Sequence, residues 1–124
     1  MAQYQGRKNK LGHMKKKKMD LGSDPRKPKF DEVRKDEVRS RVRMLGGGEK
    51  IAAMKLKFVN VSVGGKTQKV AIKAVEDDNP ANKDFRRENV LTLGSIIETE
   101  LGKVKITSRP GQDGVANGKL VKAA

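Results

Sequence analysis

From Val38 onward the chain alternates apolar and polar positions in short runs separated by glycine. In Val38-Arg39-Ser40-Arg41-Val42-Arg43-Met44, the residues Val38, Val42 and Met44 share one side and Arg39, Arg41 and Arg43 the other. This period of two predicts a strand. A helix competes, because Asp31-Glu32-Val33-Arg34 recurs as Asp36-Glu37-Val38-Arg39. A five-residue step does not hold one helical face, which favours the strand. Gly46-Gly47-Gly48 ends the element. Residues 50–63 read as one long strand with a change of phase: Met54, Leu56 and Phe58 alternate with Lys55 and Lys57, and then Val59, Val61 and Val63 take over. Such a slip predicts a bulge, or a bend between two sides of a barrel. Gly64-Gly65 predicts a hairpin. Val70, Ile72 and Ala74 form its return strand, with Lys69 and Lys73 outward.

Residues 76–89 read as a polar loop and Val90 to Leu93 as a short strand. Ile97, Thr99 and Leu101 alternate with Glu98 and Glu100, Gly102 turns the chain, and Val104 and Ile106 return with Lys103 and Lys105 on the other face. Facing these glutamates against these lysines would add cross-strand ion pairing. Arg109 to Gly114 is a turn-rich loop, and Val115 to Val121 a last edge strand. The fold class predicted is all-β, a small barrel-like domain over 38–124 preceded by a long, basic, irregular arm and linker over 1–37. With three Phe, one Tyr and no Trp, the core is built from Val, Ile, Leu and Met. A core of this size gives only marginal stability without a partner.

Charge changes the picture from fold to partner. The 124 residues carry 29 Lys and Arg against 15 Asp and Glu, a formal net charge of +14. Residues 1–30 alone hold ten basic residues against Asp20 and Asp24, and the rest of the chain carries +6. Leu11, Met14, Met19, Leu21 and Phe30 follow no period there, and Lys15 to Lys18 repel one another. Burial cannot offset the ordering entropy of such a segment, so it is expected to be disordered in isolation and to order on a polyanion. The run also admits a nuclear-localisation-like or membrane-surface reading, but it lacks the apolar stripe an interfacial helix needs. No apolar run approaches the ~20 residues of a membrane span, and the start has no signal-peptide pattern.

Catalytic and metal chemistry find little support. There is no Cys, hence no disulfide, thiolate site or cysteine nucleophile. His13 is the only His, too few for a zinc site and without a nucleophile context. Gly65-Lys66-Thr67 resembles the end of a phosphate-binding loop, but the required earlier glycine position is Asn60, and the context is a hairpin. No cofactor, metal or small-molecule substrate is expected.

The candidate RNA-binding residues follow from the charge. On the arm they are Tyr4, Arg7, Lys8, Lys10, Lys15, Lys16, Lys17, Lys18, Arg26, Lys27 and Lys29, with Tyr4 a candidate to stack on a base. On the barrel they are Arg39, Arg41, Arg43, Lys50, Lys55 and Lys57, followed by Arg86, Arg87 and Arg109. Arg86 and Arg87 have a competing role as partners of Asp77, Asp78 and Asp84. With few aromatics, recognition would rest on phosphate contact and shape. The glycines of residues 46–48 and of the 109–114 loop would let backbone approach RNA closely.

Three separated elements carry a family resemblance. They are Asn79-Pro80-Ala81-Asn82, the hairpin Gly94-Ser95-Ile96-Ile97-Glu98-Thr99-Glu100-Leu101-Gly102-Lys103, and Thr107-Ser108-Arg109-Pro110-Gly111-Gln112-Asp113-Gly114. In this order they resemble the archaeal form of the eukaryote-type eighth protein of the small ribosomal subunit. Gln5-Gly6-Arg7, Gly46-Gly47 and Leu56-Lys57-Phe58-Val59-Asn60-Val61 extend the likeness over nearly the whole chain. The resemblance implies a non-enzymatic, cytoplasmic structural constituent of the small subunit, with ribosomal RNA and neighbouring ribosomal proteins as partners. The composition alone also admits a non-ribosomal RNA or DNA chaperone on a small barrel, or a nucleotide-using enzyme built on Lys66.

Overall fold

The computed structural model describes residues 22, 24–33, 36–76 and 83–121. Among these described residues, eight strands divide between two sheets. Strands β1 (Lys29–Phe30), β2 (Val38–Arg43) and β3 (Glu49–Leu56) form a three-stranded sheet in the order β1-β3-β2. Strands β4 (Phe58–Val63), β5 (Lys66–Val75), β6 (Ile96–Thr99), β7 (Gly102–Ile106) and β8 (Asn117–Leu120) close into a barrel. Two short helices interrupt the loops, α1 (Lys83–Arg87) and α2 (Pro110–Asp113).

The barrel core follows from the alternation. Val59 and Val61, Val70 and Ile72, Ile97, and Val104 with Ile106 are buried inside, joined by Leu56, Leu91 and Ala116. Closure depends on β8, which runs parallel to β4 and antiparallel to β7. Gly118 lies opposite both Val61 and Ile106, and a Cβ there would fall 2.4 Å from Val104 Cγ1. The absent side chain therefore lets the last wall approach the first.

The three-stranded sheet is fastened to the barrel by α2 and its C-cap. Gly114 adopts φ +76°, and a Cβ there would lie 2.8 Å from the Ile51 carbonyl oxygen. Both the conformation and the space call for glycine. The start of the described chain is stitched on as well: Phe30 N–H donates to Asn89 O at 2.9 Å and Leu91 N–H to Pro28 O at 2.8 Å.

Several elements differ from the sequence-based expectation. The long strand of residues 50–63 is two strands in two different sheets. The phase slip marks that crossing at Lys57, whose carbonyl accepts the Ile72 N–H at 2.9 Å. A register shift opposite Val38 and Arg39 leaves Met54 39% exposed rather than facing inward. Residues 90–93 contain one bridge, Val90 to Lys29, and no strand, because the chain turns at Thr92–Ser95 and Gly94 has φ +87°. The β6–β7 turn lies at Glu100 and Leu101, and Gly102 opens β7 opposite Thr99. Glu98 faces Lys103, but Ile96, not Glu100, faces Lys105. The last strand is no edge, since it pairs on both sides. The expected polar loop contains α1, and the 109–114 loop winds into α2.

Candidate nucleic-acid interface

Tyr4, Arg7, Lys8, Lys10 and Lys15 to Lys18 lie outside the described residues. The basic residues that follow are largely engaged within the chain. Glu88 holds two of them, with Oε1 2.9 Å from Lys27 Nζ and Oε2 2.9 Å from Lys29 Nζ. The hydrogen bond from Lys27, followed by that from Lys29, outweighs partial desolvation and holds the Glu88 carboxyl below the usual glutamate range. Lys27 also lies over the Phe85 ring, 5.6 Å from its centroid. Lys55 Nζ reaches Asp31 Oδ2 at 2.5 Å.

Arg39 works as a clamp. Its Nη2 donates to Glu37 Oε2 at 2.6 Å, and its Nε donates to the Gly114 carbonyl at 2.9 Å. The second Glu37 oxygen accepts the Phe58 N–H at 3.3 Å. One arginine and one glutamate thus tie β2 to the α2 cap and to the first barrel strand. Lys50 Nζ donates to Gln112 Oε1 at 3.1 Å across the same junction.

Arg41 and Arg43 follow Arg39 on the exposed side of β2, opposite Ile51 and Glu49. Neither has a carboxylate partner among the described residues, and the same holds for half-buried Lys57 and for exposed Arg26, Arg87 and Arg109. The side chain of Arg86, and Asp77 and Asp78 with it, lie outside what the structure describes. Its pairing with that acidic patch therefore has no structural counterpart to report.

The barrel wall adds basic residues that charge counting had passed over. Lys105 on β7 sits directly opposite Lys119 on β8, and Lys119 in turn opposite Ser62 on β4. One step along, Asn117 faces Asn60, which faces Lys69 on β5. The two asparagines hydrogen-bond at 3.0 Å, and Lys69 Nζ lies 4.5 Å above the Phe58 ring. Like charges placed directly opposite destabilise a sheet, and no described carboxylate pairs with Lys105 or Lys119. Lys103, by contrast, pairs with Glu76 at 2.5 Å, and that hydrogen bond holds the Glu76 carboxyl below its usual range. The outward positions of β7 were visible in the sequence. Their juxtaposition with Lys119 was not, because it depends on β8 pairing with both β7 and β4.

Among the described residues no three His, Asp or Glu side chains converge as metal ligands. Likewise, no described helix is long and apolar enough to cross a membrane.

Comparison with known proteins agrees with the resemblance carried by the three sequence elements. The family model for ribosomal protein S8e matches residues 2–121. The chain is 47% identical over 128 aligned residues to small ribosomal subunit protein eS8 of Nanoarchaeum equitans, covering 96% of this chain and 97% of that protein. It is 44% identical to the protein of the same name from Staphylothermus marinus, covering 98% and 99%. A third, from Methanocorpusculum labreanum, is 43% identical over 86% of this chain and 83% of its own.

Proposed function

The chain belongs to the ribosomal protein S8e family, whose members are structural components rather than enzymes, and from that premise we propose that it stabilises the folded RNA of the small ribosomal subunit. The observation that carries this reading is the near end-to-end match to proteins named as small-subunit constituents. The working place is the ribosome in the cytoplasm, among neighbouring ribosomal proteins.

Binding proceeds by replacement of counterions. The seven basic residues of 1–21 enter between RNA helices, and the folded part that begins with β1 docks beside them. Arg41 and Arg43, Lys57, and the Lys105–Lys119 pair supply phosphate contacts from the folded surface. An approaching phosphate relieves the repulsion within that lysine pair, so the wall gains on binding what it lacks alone. Arg39, Lys27, Lys29 and Lys55 already have carboxylate partners, so their main part is to hold the surface in shape.

The test is sedimentation of small subunits through rising salt, with the free protein titrated onto small-subunit RNA in parallel. The full chain is expected to remain at one copy per subunit, and its log affinity to fall by about 0.7–0.9 per unit log salt for each phosphate neutralised. Deleting residues 1–21 removes these seven basic residues and none of the described ones, so it should flatten the slope. An unchanged slope would remove the arm from the mechanism.

A further inference from the structure

We propose that the cleft where the arm leaves the folded domain receives one unpaired RNA nucleotide, its base against Phe85 and Leu93 and its phosphate between Arg26 and Arg109. This rests on the RNA-binding reading above and adds a defined subsite to it. The cleft has a volume of about 410 Å³, within the range of small-ligand sites. Its apolar floor and its charged rim come from different parts of the chain, and each is held in place. Gly111 packs against the segment that carries Arg26: a Cβ there would sit 3.7 Å from Pro28 Cδ and 3.8 Å from the Arg26 carbonyl. The Leu91 N–H bond to Pro28 O fixes the same segment from the other side. Buried Ser95 accepts the Thr92 N–H at 3.1 Å and so shapes the turn that displays Leu93, 56% exposed beside fully buried Leu91.

The chemistry fits a nucleotide better than a purely apolar side chain. A flat aromatic and aliphatic surface takes the base, and two guanidinium groups grip phosphate. Neither arginine has a described carboxylate partner, whereas neighbouring Lys27 is held by Glu88. Asp113 is the nearby acid, and its Oδ2 accepts the Arg109 backbone N–H at 3.0 Å. A base stacked within a duplex cannot enter, so the occupant is an extruded or single-stranded residue.

The probe is a short oligouridylate bearing one central 2-aminopurine, compared with the same oligomer abasic at that position, both bound to the full chain at low salt. Seating in the cleft predicts quenched 2-aminopurine fluorescence and roughly tenfold weaker binding of the abasic oligomer. Leu93→Glu, at an exposed position of the lining, should abolish both differences. Arg109→Gln should weaken both oligomers by a similar factor. Equal binding of the two oligomers with a steep salt slope overturns the cleft and leaves the RNA-binding reading standing. That result is also the one expected if a side chain of a neighbouring protein fills the cleft. A base preference that survives Leu93→Glu places the base elsewhere and overturns the proposal. Failure of both oligomers to bind brings down the RNA-binding reading, and the cleft with it.

Discussion

The junction around β1–β3 and the outer wall of the barrel are both rich in lysine and arginine, yet they use them in opposite ways. At the junction, Lys27 and Lys29 share Glu88, Lys55 meets Asp31, and Arg39 meets Glu37 and the Gly114 carbonyl. On the wall, Lys105 and Lys119 face each other with no described acid between them. The first arrangement spends charge inside the molecule to fix the angle between sheet and barrel. The second leaves charge uncompensated in the free protein, a state that favours an external anion. A net charge of +14 therefore does not say which cations stay unpaired in the folded protein.

Four experiments sharpen or break this contrast. The largest effect is expected from Gly118→Val, which drives new atoms into Val104 across the seam. Overpacking of this kind costs about 1–3 kcal/mol or more, read as a lowered denaturation midpoint, and it takes RNA binding down with the wall. A variant as stable as the parent would show that β8 does not close the barrel in solution.

Next, Arg39→Ala removes two hydrogen bonds from a charged donor and should destabilise by about 1–3 kcal/mol, with no change in salt slope. Arg41→Gln with Arg43→Gln should do the reverse, lowering the slope while the midpoint stays within about 0.5 kcal/mol. If Arg39 also lowers the slope, the division between clamp and contact fails at that residue.

Third, Lys105→Gln with Lys119→Gln should reduce the slope by about 1.4–1.8, two phosphates' worth, and leave the free protein equal or slightly more stable. Lys27→Gln with Lys29→Gln should change the slope less and the stability more. Equal effects from the two pairs would erase the comparison.

The smallest effect is a pH dependence. The folded state holds the Glu88 and Glu76 carboxyls below the ordinary glutamate value of 4.5. Their stabilisation is complete above that value and is lost as pH falls through the lowered folded values. Denaturation midpoints should therefore decline in acid, and Glu88→Gln should show a shallower decline. An identical decline in the variant would mean that the clamp contributes nothing measurable.

The regular parts of this molecule were legible because each barrel strand buries one face and β2 half-buries Ser40 and Val42 on one side. Period-two alternation marked β2, β4 and β5, and Gly64-Gly65 marked the hairpin between β4 and β5. A phase slip, however, announces only that the chain changes its surroundings, not where it goes, so β3 and β4 were read as one strand. The helices escaped because five and four residues hold too little of a helical period. Val90 to Leu93 looked like a strand because Val90 and Leu91 are buried, yet burial here serves a turn. For the site, sequence showed which residues are charged and could not show their partners. Lys27 and Glu88 are 61 positions apart, and Lys105 meets Lys119 only through the register of β7 and β8. The proposed cleft draws on four separate stretches, around Arg26, Phe85, Leu93 and Arg109, and only the last lies within one of the family elements.

The parallel pairing of β4 with β8 has a consequence for synthesis. Every other barrel contact joins strands that follow one another along the chain, but the seam waits for β8, which is made after the other four barrel strands. Until residues 117–120 leave the tunnel, β4 and β7 both present bare edges able to pair with other chains. The basic arm emerges long before that. Nascent chains thus carry the basic residues of 1–21 outside the tunnel while the barrel is still open, and a product lacking β8 exposes the edges that quality control and aggregation both act upon.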